Sequence, residues 1–173
     1  MEHTFENEYM GVRLKPFDLA CSEKYRILRN RPGIRKWFAF KGKITCGQQA
    51  KWYAEYLENP NDVMFSAFDS LGNFIGGNSV YHIDFDRGIA EYGRLVIDTK
   101  FSGNGYGCKA TFAAAMVAKK DLGLNRLILE VYQDNIPAIK AYSVVGFEKS
   151  GVFADAEGLR MVKMELDLSK LRG

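Results

Sequence analysis

The run Ser102-Gly103-Asn104-Gly105-Tyr106-Gly107 lies between an apolar segment, Leu95 to Ile97, and a long helix-compatible stretch through Ala110, Phe112, Ala113 and Met116. A strand, a glycine turn and a helix N-terminus in that order constrain the fold more than any other part of the chain. Glycines allow positive φ and leave no Cβ in the way, so successive backbone N–H groups can point at one anion. The helix that follows adds its own unpaired N–H groups and the positive end of its dipole. The segment reads as a pyrophosphate cradle. It is not a Walker loop, which needs Lys and then Ser or Thr after the last glycine, because Gly107 is followed by Cys108-Lys109-Ala110. It is not a dinucleotide fingerprint either. That turn follows the first strand, whereas this one lies past mid-chain, and the next strand, Leu127 to Tyr132, leads into Gln133-Asp134-Asn135.

A second constellation runs from Asn135 through Ile136, Pro137, Ala138, Ile139, Lys140 and Ala141 to Tyr142, closed by Gly146-Phe147. Asn135 is a good N-cap, and Pro137 is tolerated in a first helical turn, where its missing N–H loses no partner. Ala138 and Tyr142 are four apart and share one helix face, while Gly146 is placed as a C-cap. In this order and separation the two constellations resemble the GNAT superfamily of acyl-CoA-dependent N-acetyltransferases, over Glu91 to Phe147. The resemblance implies a three-layer α/β (α+β) fold, with a central mixed, mostly antiparallel twisted sheet and helices on both faces. It also implies acetyl-CoA as cosubstrate and no metal.

The rest of the chain is compatible. Val12 and Leu14 alternate with Arg13 and Lys15 in a short strand ended by Pro16, Leu19 to Arg29 is helical, and Pro32-Gly33 precedes a short helical piece reaching Trp37. Thr45 with Gln48 forms a capping-box pattern that opens a helix stopping near Asn59-Pro60. Strands follow at Val63 to Phe68, Phe74 to Ile83 and Ile89 to Ile97, then the long helix to Leu122, the strand Leu127 to Tyr132, a helix from Ile136 to Val145, and closing strands around Phe147 to Phe153 and Leu159 to Leu168. Hairpin-paired strands followed by strands separated by helices imply a mixed sheet with helices on its faces.

At 173 residues and 47% hydrophobic, with no Pro/Gly/Ser-rich linker, the chain is expected to form one domain over 1–173. A net charge of +3 with dispersed basic residues argues against nucleic acid. Cys21, Cys46 and Cys108 are odd in number and distant from His3 and His82, so neither a disulfide framework nor a zinc site is read. No apolar run reaches the ~20 residues that span a bilayer, and the start of the chain does not read as a signal peptide. A cytoplasmic monomer or homodimer is expected.

By the resemblance, the pantetheine arm runs along Leu95, Val96 and Ile97, using backbone groups as an added-strand mimic. Ser102, Gly103, Asn104, Gly105, Tyr106, Gly107 and Cys108 hold the pyrophosphate, with Asn135 and Ala138 completing the cofactor side. Gly93 marks either a bulge that exposes these backbone groups or a weak point in packing. Cys108, opening an apolar helix, reads as a small buried hydrophobe rather than a nucleophile. Many family members carry Arg or Gln where this chain has Ser102, so a guanidinium contact to the pyrophosphate is missing there. Tyr142 is the candidate general acid, since a phenol with a reference pKa near ~10 stays protonated at neutral pH; Ile136, Ile139 and Tyr142 also fall at apolar helical spacing, as core residues would. Glu91 is the candidate base, taking a proton from the amine through water, against the alternative of a solvated strand-end carboxylate.

The acceptor is expected to be a small-molecule primary amine. Arg29-Asn30 and Arg35-Lys36-Trp37, with Trp52 further on, resemble acetyltransferases of nucleotide-linked amino sugars, with cations and an aromatic to hold a nucleoside diphosphate. An amphipathic helix with Arg in water and Trp in the core explains the same residues. Ribosomal-protein N-terminal or polyamine acetylation, and a non-catalytic acyl-CoA-binding sensor, are the alternatives.

Overall fold

Helices in the computed structural model, which describes residues 2–172, begin where a side chain or a proline answers for the missing intrahelical partners. Asp18 caps α1 (Leu19–Arg29) by accepting from the Cys21 N–H. Pro32 opens α2 (Pro32–Arg35), and the reciprocal Thr45/Gln48 capping box opens α3 (Cys46–Glu58). The long α4 (Tyr106–Lys120) starts at Gly105, and α5 (Ile136–Val145) runs from the Asn135 cap to Gly146 at φ 110.

Eight strands form one sheet in the order β1-β2-β3-β4-β5-β6-β8-β7. These are β1 (Asn7–Tyr9), β2 (Val12–Pro16), β3 (Asp62–Phe68), β4 (Phe74–Asp84), β5 (Ile89–Ile97), β6 (Arg126–Tyr132), β7 (Glu148–Ala154) and β8 (Arg160–Asp167). Every neighbouring pair is antiparallel except β5–β6. The sequence reading located all of them but β1, whose three residues Asn-Glu-Tyr carry no alternation. Pairing with β2 and the stacking of Tyr9 on Phe112, centroids 4.0 Å apart, hold it in place.

Both faces of the sheet are covered, as β3 shows. Val63, Phe65 and Ala67 face the cluster built on α4, while Met64, between them, faces the cluster built on α1 and α3. Period-two alternation with two apolar faces gives the unbroken buried run along this strand. On α4 the residues Ala110, Ala113, Ala114, Ala115 and Ala118 are all fully buried, and their small side chains bring the helix close to the sheet.

Two features of β5 create the site. Its parallel pairing with β6 covers only Ile89 to Glu91 against Arg126 to Ile128. Beyond that the strands part, while β6 stays paired along its whole length with β8 on its other side. The second feature is a bulge. Ser79 pairs with Gly93 and Gly77 with Val96, so β5 carries one extra residue there. The left-handed residue is Arg94, at φ 51, and not Gly93. Gly93 instead makes room for Tyr81, whose hydroxyl lies 3.0 Å from where a Cβ would stand. Arg94 is held by its surroundings: Asp62 takes its guanidinium at 2.7 and 2.9 Å, and the Tyr25 hydroxyl donates to its carbonyl at 2.7 Å.

Gly76 fixes the far end of β5. Its φ is 150, and a Cβ there would stand 1.9 Å from the Val96 carbonyl oxygen. Gly76→Ala is therefore expected to cost about 2–4 kcal/mol in urea unfolding, from backbone strain and displacement of β5. A loss below 1 kcal/mol would mean that β5 yields easily and that its edge is not rigid.

Candidate active site

Where β5 and β6 part, a groove of about 1120 Å³ opens across the sheet. One end is the glycine turn. Gly103 and Gly105 take positive φ, 86 and 67, while Gly107 lies within the first turn of α4 and needs no special backbone. Two of the three glycines thus serve conformation. The third serves approach: a Cβ on Gly107 would sit 3.9 Å from both Ala141 and Leu95 and narrow the groove. Gly105 brings no side-chain cap to α4, so the N–H groups of Tyr106, Gly107 and Cys108 remain for a docking anion.

A buried relay anchors this helix end to the sheet. Asn78 donates to the Tyr92 hydroxyl at 3.1 Å and to the Ala110 carbonyl at 2.9 Å; the Tyr92 hydroxyl meets Thr111 at 2.8 Å, and Thr111 donates to the Gly107 carbonyl at 2.8 Å. Each of these groups would be costly to leave unpaired in the core.

The cofactor-side residues gather around this end. Leu95, Val96, Ile97, Ser102, Gly103, Gly105, Tyr106, Gly107, Cys108, Asn135 and Ala138 all line the groove. Val96 has its side chain buried on the far face, so it offers only backbone. Asn104 points its amide back to the Phe101 carbonyl, 3.0 Å away, and ties the turn from outside. Cys108 is half-buried on the groove wall rather than enclosed in the core, because its place in the first turn of α4 faces the opening. The Asn135 side chain accepts from the Ala138 N–H and is used as a cap. The open edge of β5, the uncapped helix end and the glycine at the point of closest approach together suit an extended acyl carrier with a pyrophosphate.

Tyr142 is buried yet lines the groove, packed edge-on to Tyr92 with centroids 6.0 Å apart. Burial pushes its phenol above the usual range, so it stays a proton donor at any working pH. Glu91, half-buried, lines the groove at the point where β5 and β6 part. His82 holds its carboxylate, with Nδ1 3.0 Å from Oε1, and the Tyr81 phenol lies beside it, close enough to feel its charge. Burial first, and then the Glu91 charge, push the Tyr81 phenol up.

Away from the turn the groove is walled by Trp37 and Phe38 on one side and by Tyr132, Phe153 and Met161 on the other. The carboxylates Glu91, Glu130 and Asp155 line it too. Lys41 ties the two walls together: its Nζ donates to the Lys36 carbonyl at 3.1 Å and the Tyr132 hydroxyl at 2.9 Å, and lies 4.1 Å over the Tyr132 ring. Of the four residues expected to bind the acceptor, only Trp37 lines the groove. The Arg29 guanidinium is buried, stacked 3.5 Å over Phe38 and donating to the Phe40 carbonyl. Asn30 exchanges two hydrogen bonds with the Ile44 backbone, and Arg35 lies outside the groove. Trp52 stacks on Tyr56 and packs against the core. Tyr81, His82, Arg94 and Tyr132 went unnoticed in the sequence, since two bulges and a crossover bring them to the site.

The family described as "Acetyltransferase (GNAT) domain" matches residues 12–148. No curated protein matches the chain. Among solved structures, the chain is similar to the spermidine N-acetyltransferase of Vibrio cholerae in complex with CoA and spermine. That match has a TM-score of 0.83 and 19% identity, and covers 94% of this chain and 98% of the other. A GCN5-related N-acetyltransferase from Brucella melitensis aligns with TM-score 0.77 and 18% identity, over 97% of this chain and 80% of that one. A GNAT-family acetyltransferase from Bacillus anthracis aligns with TM-score 0.80 and 14% identity, over 96% and 100%. At such identities the likeness is one of fold. With the family match over residues 12–148 and the glycine-turn groove beside the parted strands, the chain belongs to the GNAT acetyltransferases, enzymes that take their acetyl group from acetyl-CoA.

Proposed function

We propose that the protein, acting as one N-acetyltransferase domain, acetylates a primary amine on a small molecule that carries further positive charge, in the manner of a polyamine. The carrying observation is the composition of the acceptor end: Glu91, Glu130 and Asp155 among the rings of Trp37, Phe38, Tyr81 and Tyr132. Carboxylates and aromatic faces attract ammonium groups. The one guanidinium that lines the groove, that of Arg94, is engaged by Asp62. A nucleotide-linked amino sugar would need cations for its diphosphate, and Arg29 is buried over Phe38 while Arg35 lies outside the groove; of the four expected residues Trp37 alone lines it. The Vibrio cholerae neighbour is a spermidine acetyltransferase solved with spermine, which agrees in acceptor class.

In this reading acetyl-CoA lies along the free edge of β5, its pyrophosphate on the N–H groups that open α4. Glu91 takes the proton from the acceptor ammonium through water. The free amine attacks the thioester carbonyl, the C–N bond forms, the C–S bond breaks, and the second proton of the attacking nitrogen passes by way of solvent to the departing thiolate, giving the amide and the free thiol. Tyr142 donates a hydrogen bond to the departing sulfur. Because burial raises its pKa further above that of a thiol, near ~8.5, its contribution is a hydrogen bond that strengthens as charge builds.

Three outcomes test the reading. Gly105→Val forces a β-branched residue into left-handed backbone at the helix cap, so the rise in Tm with acetyl-CoA should vanish while the helical circular dichroism stays near wild type. An undiminished rise would remove the cradle. Tyr142→Phe deletes one oxygen and should lower kcat by about 10²-fold with little change in KM; a rate within a few-fold of wild type would return Tyr142 to a packing role. Across a panel of amines, spermidine and related diamines should give higher kcat/KM than nucleotide amino sugars or peptides, and Arg35→Ala should leave these values unchanged. A preference for the sugar nucleotide, lost in Arg35→Ala, would reverse the assignment.

A further inference from the structure

Glu91 has two side-chain partners at the groove, Tyr81 and His82, and they differ in what they can do with a proton. The Tyr81 phenol is pushed up by burial and by Glu91 itself, so it holds its proton and can only donate a hydrogen bond. His82 is the one partner with two ring nitrogens, so it can accept a proton on one and release a proton from the other.

The backbone is shaped to bring it there. Between the Tyr81–Glu91 and Asp84–Ile89 pairs, β4 carries one residue more than β5. His82 occupies this bulge at φ 48, a left-handed conformation that few non-glycine residues adopt. A regular strand would alternate Tyr81 and His82 to opposite faces of the sheet. The bulge lets both reach the same carboxylate. The His82 Nδ1 lies 3.0 Å from Glu91 Oε1, its ring meets Tyr81 edge-on at 4.8 Å, and its side chain is 67% exposed. Nδ1 therefore faces the carboxylate while the rest of the ring reaches water. The groups facing it are Glu91 from β5 and the Tyr81 ring on its own strand.

We propose that His82 relays the proton that Glu91 removes from the acceptor, from the groove to bulk water. The inference rests on Glu91 as the base. The acceptor ammonium gives its proton to the Glu91 carboxylate; the acid formed passes it to the His82 Nδ1; the imidazolium loses a proton to solvent from Nε2. Exchange with water at the exposed ring then restores the starting tautomer, and Glu91 is again a carboxylate. No other reactant is consumed. His82 touches neither substrate, so it acts through Glu91.

The test separates relay from orientation by measuring acetylated acceptor. His82→Asn suits the left-handed backbone and should fold, with the acetyl-CoA-induced rise in Tm intact. Its kcat should fall about tenfold or more, while the KM for acetyl-CoA stays the same, and free imidazole should restore much of the rate. His82→Gln can still hydrogen-bond to Glu91 but carries no proton, so it should be as slow as His82→Asn. A wild-type rate in His82→Gln, or a slow His82→Asn that imidazole does not rescue, would overturn the relay. Glu91→Gln distinguishes the two levels. If it is slow while both His82 variants run at the wild-type rate, the base stands and the relay falls. If it runs at the wild-type rate, the base falls and the relay with it.

Discussion

The parting of β5 from β6 beyond Glu91 and Ile128 is the constraint on which the rest of the site depends. In a continuous sheet the N–H and C=O groups of β5 from Tyr92 to Ile97 would be spent on a neighbouring strand. Here the pairing with β6 stops at Glu91, and β5 carries its bulge at Arg94 just beyond, while β6 stays held by β8 on its other edge. What opens is an edge in the middle of a sheet, a place where an extended ligand can be held by backbone. The short parallel contact is still needed. It brings Glu91, the last paired residue, to the apex of the opening, and the crossover it requires is α4, whose N-terminus forms the cradle.

The two ends of the groove carry opposite electrostatics by different means. At the cradle no guanidinium is present at the first turn position, which is Ser102. Positive potential comes from uncapped N–H groups and the α4 dipole, which are strongest where water is excluded. Elsewhere the groove is lined by the carboxylates Glu91, Glu130 and Asp155, together with Lys140. Arg94, which lies between, does not blur this division because Asp62 neutralises it with a two-oxygen contact. Asp62 is itself almost fully buried, so removing either partner would strand a charge in the core. The Arg31–Asp98 pair plays the same part at the far end of β5, tying the segment between α1 and α2 to the strand just before the turn.

The loop between α2 and α3 shows how the acceptor end takes its shape. Asn30 and Ile44 exchange hydrogen bonds at its base, Arg29 lies under Phe38, and Lys41 reaches the Tyr132 ring on β6. Of the cationic residues near Trp37 that suggested anion binding, Arg29 serves instead to fold the loop, its guanidinium met by the Phe40 carbonyl and the Phe38 ring, and Lys36 lies over the Trp37 ring.

Local structure was legible in the sequence wherever its cause lay within a few residues. The Thr45 and Asn135 caps, the Gly146 stop, the alternation in β2 and the glycine turn each depend on neighbours along the chain, and each of these elements lies within two residues of its expected bounds. The order of elements and the two motifs also carried the family, because a phosphate cradle and a capped α5 need particular residues at particular spacings. Other features depended on partners far away in sequence. Short β1 exists because β2 and Phe112 receive it, and the bulge falls on Arg94 because Asp62 and Tyr25 hold that residue while Gly93 yields to Tyr81. Arg29 could not be told from a ligand-binding cation until the loop was seen to fold over it. His82 carries no sequence signal beyond its identity; an extra residue in β4 is what turns it to Glu91. The sequence by itself therefore determined the elements, their order and the glycine turn, since these follow from short-range sterics and hydrogen bonding. Tertiary structure alone decided which charged and aromatic side chains face the groove, since that depends on register, on bulges and on ion pairs between residues that meet only in the folded chain.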